Sequence, residues 1–525
     1  MNGLDYAVVV GYLAALLGMG YLLRRQSSRQ DYFLGGRSMT WFPLALSTMA
    51  TQLSAISFIS APAFVGIREG GGMIWLSYEL ALPLAMIALM WGIMPRLYNA
   101  GFVSIYEFLE ARFDKTTRFT ISIVFQISRA AATGVMIYAV ALILESMAGI
   151  GFLASIAVIG AVTAVYSLQG GMKAVVFGDA AQMIIIFFGI LLCIGFGLHH
   201  LGVDALVEQL DPARLKAVDF GSLGLSGDEF GFLPMLFGGL VLYASYYGCD
   251  QTQAQRLLSA KSEGTVRTIL LANGLMRFPI VLLYCVMGLI VGTLAVVSPD
   301  LPADEFVRQP DRMVPTFIVT YLPHGVIGLL VVAILSAAMS SLSSTINSLS
   351  AVTTEDLAMV RGAALSETQY VVWSRLASLG WSIVILIFSF FGGMIAATVI
   401  EAINKVGSVF YGPILATFVL AVLFRGVSAR GANWGLLSGV AFNIYLWLGE
   451  PQVFWFWWNL IGFMVTLGVA VLVSGGARPA LATDGPTFAA PVRQTVILAA
   501  AFATILVVIS IFPSLWTSLV ALATG

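Results

Sequence analysis

The chain has 525 residues, 59% of them hydrophobic and only 10% charged, with a mean hydropathy of +0.94. That composition excludes a soluble fold and identifies a polytopic membrane protein. The formal net charge of −1 points to no partner by itself, and no nucleic acid or obligate protein partner is expected.

Windows of about 20 apolar residues predict fourteen spans, near 5–23, 41–65, 73–94, 119–147, 151–168, 174–199, 231–249, 268–294, 326–354, 371–391, 395–424, 432–449, 453–474 and 494–520. The opening MNGLDYAVVVGYLAALLGMGYLL has neither a basic n-region nor a small-residue cleavage site, so it is expected to be a retained span. With loops assigned alternately to the two sides, eighteen Lys and Arg fall on one side and five on the other, with Arg129, Arg277 and Lys405 inside spans. The positive-inside rule then places both termini outside the cytoplasm.

The second span carries Ser47, Thr48, Thr51, Gln52, Ser54, Ser57 and Ser60 through its middle, which predicts an interruption lined by polar groups. Glu79 lies in the third span and Arg129 about ten residues into the fourth. A guanidinium at that depth needs a carboxylate, a carbonyl or a substrate anion, and Glu79 is the obvious internal candidate. The inner segment 95–118 reads as a partly helical, amphipathic connector. Asp179 opens the sixth span; it is either a cation site or a helix N-cap, and spacing alone leaves both open. The outer segments 200–230 and 295–314 have the size of a lid or of short surface helices.

The seventh span, FLPMLFGGLVLYASYYGCDQTQAQR, has Gly238–Gly239 as its expected point of interruption and then a polar exit. Arg277 and Lys405 are read as snorkelling or as locks between helices. The run Ser336–Ser350, SAAMSSLSSTINSLS, places seven serines with Thr345 and Asn347 in a segment that otherwise reads as membrane-spanning. Hydroxyls at bilayer depth must face protein, water or an ion. Ser340, Ser343, Ser344 and Asn347 share one helix face and offer hard oxygen ligands to a small cation.

Cys193, Cys249 and Cys285 are isolated and expected to be packed free thiols. No His, Cys and carboxylate cluster has metal-ligand spacing, and the chain has no Walker loop. A membrane enzyme is therefore not expected. The two interrupted spans lie five apart and so enter the membrane from opposite sides, as in inverted-repeat transporters. The expected fold is all-α, with an amino-acid-transporter-like (5+5) core. The expected division is 1–40 peripheral helix and loop, 41–199 first repeat, 200–230 outer loop, 231–424 second repeat and 425–525 peripheral helices.

Four motifs, ATQLSAISF (50–58), SLQGGMKAVVFGDAAQ (167–182), DQTQAQR (250–256) and SAAMSSLSSTINS (336–348), together resemble the sodium/solute symporter family over almost the whole chain. The resemblance implies Na⁺-driven import of a small organic solute across a bacterial cytoplasmic membrane. It implies a principal sodium site at Ala50, Leu53, Ala337, Ser340 and Ser341. It also implies a second site at Asp179, Ser340, Ser343 and Ser344, although the family's Thr before that Asp is Gly178 here. The implied solute cavity holds Gln52, Ser54, Ser57, Glu79, Arg129 and Tyr246 or Tyr247. Arg129 matches the carboxylate-binding arginine of a sialic acid transporter, and Glu79 the sugar-binding glutamate of a galactose transporter. The solute is thus expected to bear a carboxylate or to be polyhydroxylated, and two sodium ions are expected per solute. A proton-coupled or uncoupled carrier of the same fold, or a non-transporting membrane sensor, are the rivals. The C-terminal LVALATG, with no cytoplasmic domain after it, argues against the sensor.

Overall fold

The computed structural model describes residues 1–22, 33–53, 55–227, 229–361, 366–475 and 490–524. Ser54 lies outside the described residues, as do the side chains of Ala337, Ser340 and 160–171. The described residues are helical with no β-sheet beyond one isolated bridge, Met39 to Ala260.

In chain order the principal helices are α1 (Gly3–Leu22), α2 (Trp41–Gln52), α3 (Ala55–Gly66), α4 (Ala81–Trp91, entered through the 3₁₀ run Met73–Leu80), α5 (Lys115–Ala148) and α6 (Phe152–Leu201). Then follow α7 (Gly239–Cys249), α8 (Gln251–Leu258), α9 (Glu263–Val297), α10 (Val326–Arg361), α11 (Glu367–Ser389), α12 (Val399–Leu423), α13 (Ala429–Gly449), α14 (Trp455–Val473) and α15 (Val492–Thr524). All fourteen expected windows fall on these helices. Eight helices among the described residues, or nine with the bent pair α2–α3, are by themselves long and apolar enough to cross a membrane. Where separate spans were expected at 151–168 and 174–199, α6 is continuous, and its part Met172–Leu201 meets that test alone. The pair Gly170–Gly171 does not end it, because glycine without a cap or a following proline only weakens a helix.

The first interruption lies where the sequence put it. The helices α2 and α3 are bent by 52° at Leu53, whose φ of −86° and ψ of 69° end the ladder. The second does not. Gly238 and Gly239 are both helical, at the passage from a π turn (Pro234–Gly238) into α7, and the chain breaks at Asp250 instead. Packing explains the glycines: a Cβ on Gly238 would stand 2.1 Å from the Phe456 carbonyl oxygen. Asp250 leaves helical geometry (φ −93°, ψ 121°), and its carboxylate caps α8 by accepting from the Thr252 amide.

Small residues also set the approach of α3 to α9. A Cβ on Gly66 would lie 2.3 Å from the Gly288 oxygen, and one on Gly292 would lie 2.4 Å from the Gly66 oxygen. Backbones that touch in this way bring Ser57 and Ser60 on α3 close to the core of the bundle. The serine-rich helix α10 packs against α6, α5, α1 and α11. Ser341, Ser343, Ser344, Thr345, Asn347, Ser348 and Ser350 are all buried, so this hydroxyl stripe faces protein.

Candidate functional site

A cavity of about 100 Å³ opens beside the Leu53 bend. Gln52, Leu53, Ser57, Glu79, Arg129, Tyr246 and Ser341 all line it, which brings together residues that the sequence assigned to solute and to the first ion. Tyr247 does not line it; its hydroxyl donates to Asn273 Oδ1 at 3.3 Å. Trp75, Tyr78, Thr133, Tyr284, Asn404 and Tyr411 also form the wall and were not singled out from sequence, and Thr345 of the serine-rich run joins them. The four aromatic residues carry no depth-anomaly signal in a chain this hydrophobic, and single polar residues such as Thr133 and Asn404 form no polar run in the sequence.

Two buried ion pairs flank the cavity, with partners other than the expected one. Arg129 does not pair with Glu79: its Nη2 donates to Asp250 Oδ2, and its guanidinium lies 5.1 Å from the Tyr246 ring centroid. Glu79 accepts from Arg277 Nε at 2.9 Å and from the Tyr243 hydroxyl at 2.9 Å. Arg277 therefore locks α9 to the 3₁₀ run before α4, and it is buried. Each cation at the cavity is already neutralised, so an anionic solute gains little from net charge and must compete for an arginine held by a carboxylate. Lys405 stands 5.8 Å from the centroids of both Trp447 and Trp458.

Of the expected first ion set, Leu53 and Ser341 meet at the cavity and Ala50 is buried at the end of α2. A helix that stops inside the protein leaves its last carbonyls without amide partners. The Ser341 hydroxyl is buried and has no hydrogen-bond partner. An orphaned hydroxyl beside freed carbonyls suits a weakly held monovalent cation.

The second set has a different occupant. Asp179 is buried, and its Oδ2 accepts from Ser47 at 2.5 Å and from Arg256 Nη2 at 2.7 Å. Arg256 also donates to Ser344 Oγ at 2.9 Å, to Ser47 Oγ at 2.7 Å and to the Thr252 carbonyl at 2.5 Å. The guanidinium thus links Asp179 to Ser344, and Ser343 is buried nearby on the same helix. Arg256 is one of the eighteen Lys and Arg that the alternation of loops assigns to one side of the membrane, but every residue of α8 is buried. The other carboxylate oxygen, Asp179 Oδ1, has no hydrogen-bond partner. Two unit positive charges within about 5 Å repel by roughly 3 kcal/mol at an effective dielectric near 20, so Arg256 and a sodium ion do not share Asp179 comfortably.

A sequence profile of the Sodium:solute symporter family matches residues 32–439. The chain belongs to this family. The human sodium/iodide cotransporter is 29% identical over 453 residues, covering 85% of this chain and 70% of that protein. The Xenopus laevis sodium-coupled monocarboxylate transporter 1 is 31% identical, covering 85% and 70%. The structure of a Na⁺-coupled sialic acid symporter in a substrate-bound outward-open state superposes with a TM-score of 0.80 at 23% identity, over 91% of this chain and 99% of the other. That likeness gives the fold. Family membership makes the chain a secondary transporter that couples Na⁺ to the movement of a small organic solute by alternating access, within a membrane.

Proposed function

We propose that the solute carries a carboxylate, that Arg129 receives it, and that two sodium ions drive its import. The observation that supports this most is the placement of Arg129 in the cavity wall, where it shares a charge-assisted bond with one exchangeable partner, Asp250. Relatives named for iodide and for monocarboxylates agree with a small anion. Gln52 Oε1, buried and without a partner, would accept from a hydroxyl on the same solute.

In this reading Ala50, Leu53, Ala337, Ser340 and Ser341 hold the first ion. Asp179, Ser340, Ser343 and Ser344 hold the second after Arg256 has moved away. Gln52, Ser54, Ser57, Glu79 and Tyr246 shape the solute cavity around Arg129. Fourteen crossings, with 41–199 and 231–424 as inverted repeats and both termini facing outward from a bacterial cytoplasmic membrane, require a turn between 168 and 174 in the helix that runs unbroken here over Phe152–Leu201. Each sodium crossing contributes about 2.3 kcal/mol per 100 mV of membrane potential. Two ions with one carboxylate carry a net positive charge inward.

Counting charge against labelled solute in proteoliposomes tests the stoichiometry, after a thermal-shift screen of monocarboxylates, acidic sugars and neutral sugars in NaCl and choline chloride. Stabilisation by carboxylates only when sodium is present is the expected result. A response to neutral sugars alone, or uptake driven by a proton gradient without sodium, would overturn the reading.

A further inference from the structure

Helix α8 is eight residues long, QTQAQRLL, and all eight are buried. A polar helix is not placed inside a membrane protein without partners, and its three glutamines and its arginine each have one, while the Thr252 hydroxyl is buried without one. Gln251 exchanges hydrogen bonds with the Val103 carbonyl and the Ile105 amide, both at 2.9 Å. Gln253 donates to the Thr48 carbonyl at 3.2 Å and Gln255 to the Phe33 carbonyl at 2.6 Å. The two charged contacts lie at its ends. At the N-terminal end Asp250 holds Arg129 of α5 at the solute cavity; toward the C-terminal end Arg256 holds Asp179 of α6. Six residues of helix make a stiff rod of about 9 Å between those two charges.

We propose that α8 couples the second ion to the solute. Sodium and the Arg256 guanidinium exclude one another at Asp179, and the departure of Arg256 withdraws Asp250 from Arg129, which is thereby freed for the solute's carboxylate. This rests on the reading of Asp179 as an ion site given above. Asp179 Oδ1, buried and without a partner, is the oxygen an arriving ion meets first. The exchange needs no new charge in the core: a tethered cation leaves as a free one enters, and a tethered carboxylate leaves Arg129 as a free one enters. Linkage makes the effect reciprocal, so solute at Arg129 tightens sodium at Asp179 by the same factor that sodium tightens solute.

Sodium alone tests this. In purified full-length protein, binding of ²²Na⁺ that is lost in Asp179→Asn reports the site. Arg256→Gln, which removes the competitor, is expected to tighten that binding roughly tenfold, within the usual range of coupling between sites. Asp250→Asn keeps the helix cap but releases Arg129, and is expected to tighten sodium severalfold as well. Simple Coulomb attraction predicts the opposite sign, because the variant removes a negative charge. The double variant is expected to add nothing to Arg256→Gln, since α8 then no longer needs to move. In the wild type, whatever the fate of the variants, amide exchange of residues 251–258 is expected to be faster in NaCl than in choline chloride. Asp179-dependent sodium binding that Arg256→Gln leaves unchanged or Asp250→Asn weakens, or exchange of 251–258 that ignores sodium, overturns the coupling alone. Wild-type protein that binds no sodium overturns the ion-site reading and the coupling with it.

Discussion

Arg256 and Asp179 form a 2.7 Å ion pair in which the arginine side chain is 2% exposed and the carboxylate fully buried. Removing one partner strands a charge away from water, which costs on the order of 3–5 kcal/mol, whereas removing both together costs far less. Asp179→Asn is therefore expected to lower the melting temperature in sodium-free detergent. The Asp179→Asn, Arg256→Gln double variant should recover most of the loss, and a double no more stable than the single would show that the pair carries no such strain.

At Arg129 the geometry separates charge from shape. Lysine keeps the positive charge but loses the planar fork and its stacking on Tyr246. Arg129→Lys should raise the KM for a carboxylate solute by about 10- to 100-fold, the loss of one charge-assisted hydrogen bond. Sodium-dependent thermal stabilisation without solute should remain. Uptake kinetics in proteoliposomes over a range of solute concentrations decide the matter.

Ser341 offers the reverse separation. Its hydroxyl has no partner within the protein, so its removal costs the fold almost nothing. Ser341→Ala is expected to keep the sodium-free melting temperature within about 1 °C of wild type, since ~1 kcal/mol or less moves a chain of this size little. The sodium concentration for half-maximal uptake should rise severalfold. An unchanged sodium dependence would remove Ser341 from the ion site.

Asp311, in the segment 295–314, accepts from the Val399 amide at 2.9 Å and from the Ser60 hydroxyl. Burial, with Glu401 nearby, pushes its carboxyl up to about 6 from 3.8. The folded protein thus holds this proton more firmly than the unfolded chain does. The stability it contributes is fully present below the ordinary value and is lost as pH rises through about 6. Wild-type melting temperature should carry a component that falls between about pH 4 and 6, and Asp311→Asn should lack that component. Parallel curves for the two proteins would refute the assignment.

Much of this site could be read from residues that sit in the wrong solvent. Seven serines in an apolar helix, a lone Asp179 and a lone Arg129 are each anomalous by depth, and depth is visible in sequence. Pairing is not visible. Glu79 had two arginines within reach of its face, and helical spacing could not say that Arg277, 198 residues away, would take it while Arg129 turned to Asp250. Arg256 was missed for a related reason: QTQAQR after an apolar run has the composition of a loop, and only the fold returns it to the interior. The position of the second break was misplaced because glycine marks both flexible backbone and close packing. At Gly238 the packing against Phe456 accounts for it.

The Tyr246 hydroxyl donates to the Thr51 carbonyl at 3.2 Å, and Gln253 donates to the Thr48 carbonyl at 3.2 Å. Side chains flanking the Asp250 break thus grip the backbone just before the Leu53 bend. The α7–α8 segment is stapled crosswise to the end of α2, and a rigid-body displacement of one is expected to carry the other. Any hinge that opens the cavity to one side or the other must then lie elsewhere, between this stapled unit and the helices that surround it, and a solute is carried by walls that shift around an undivided centre.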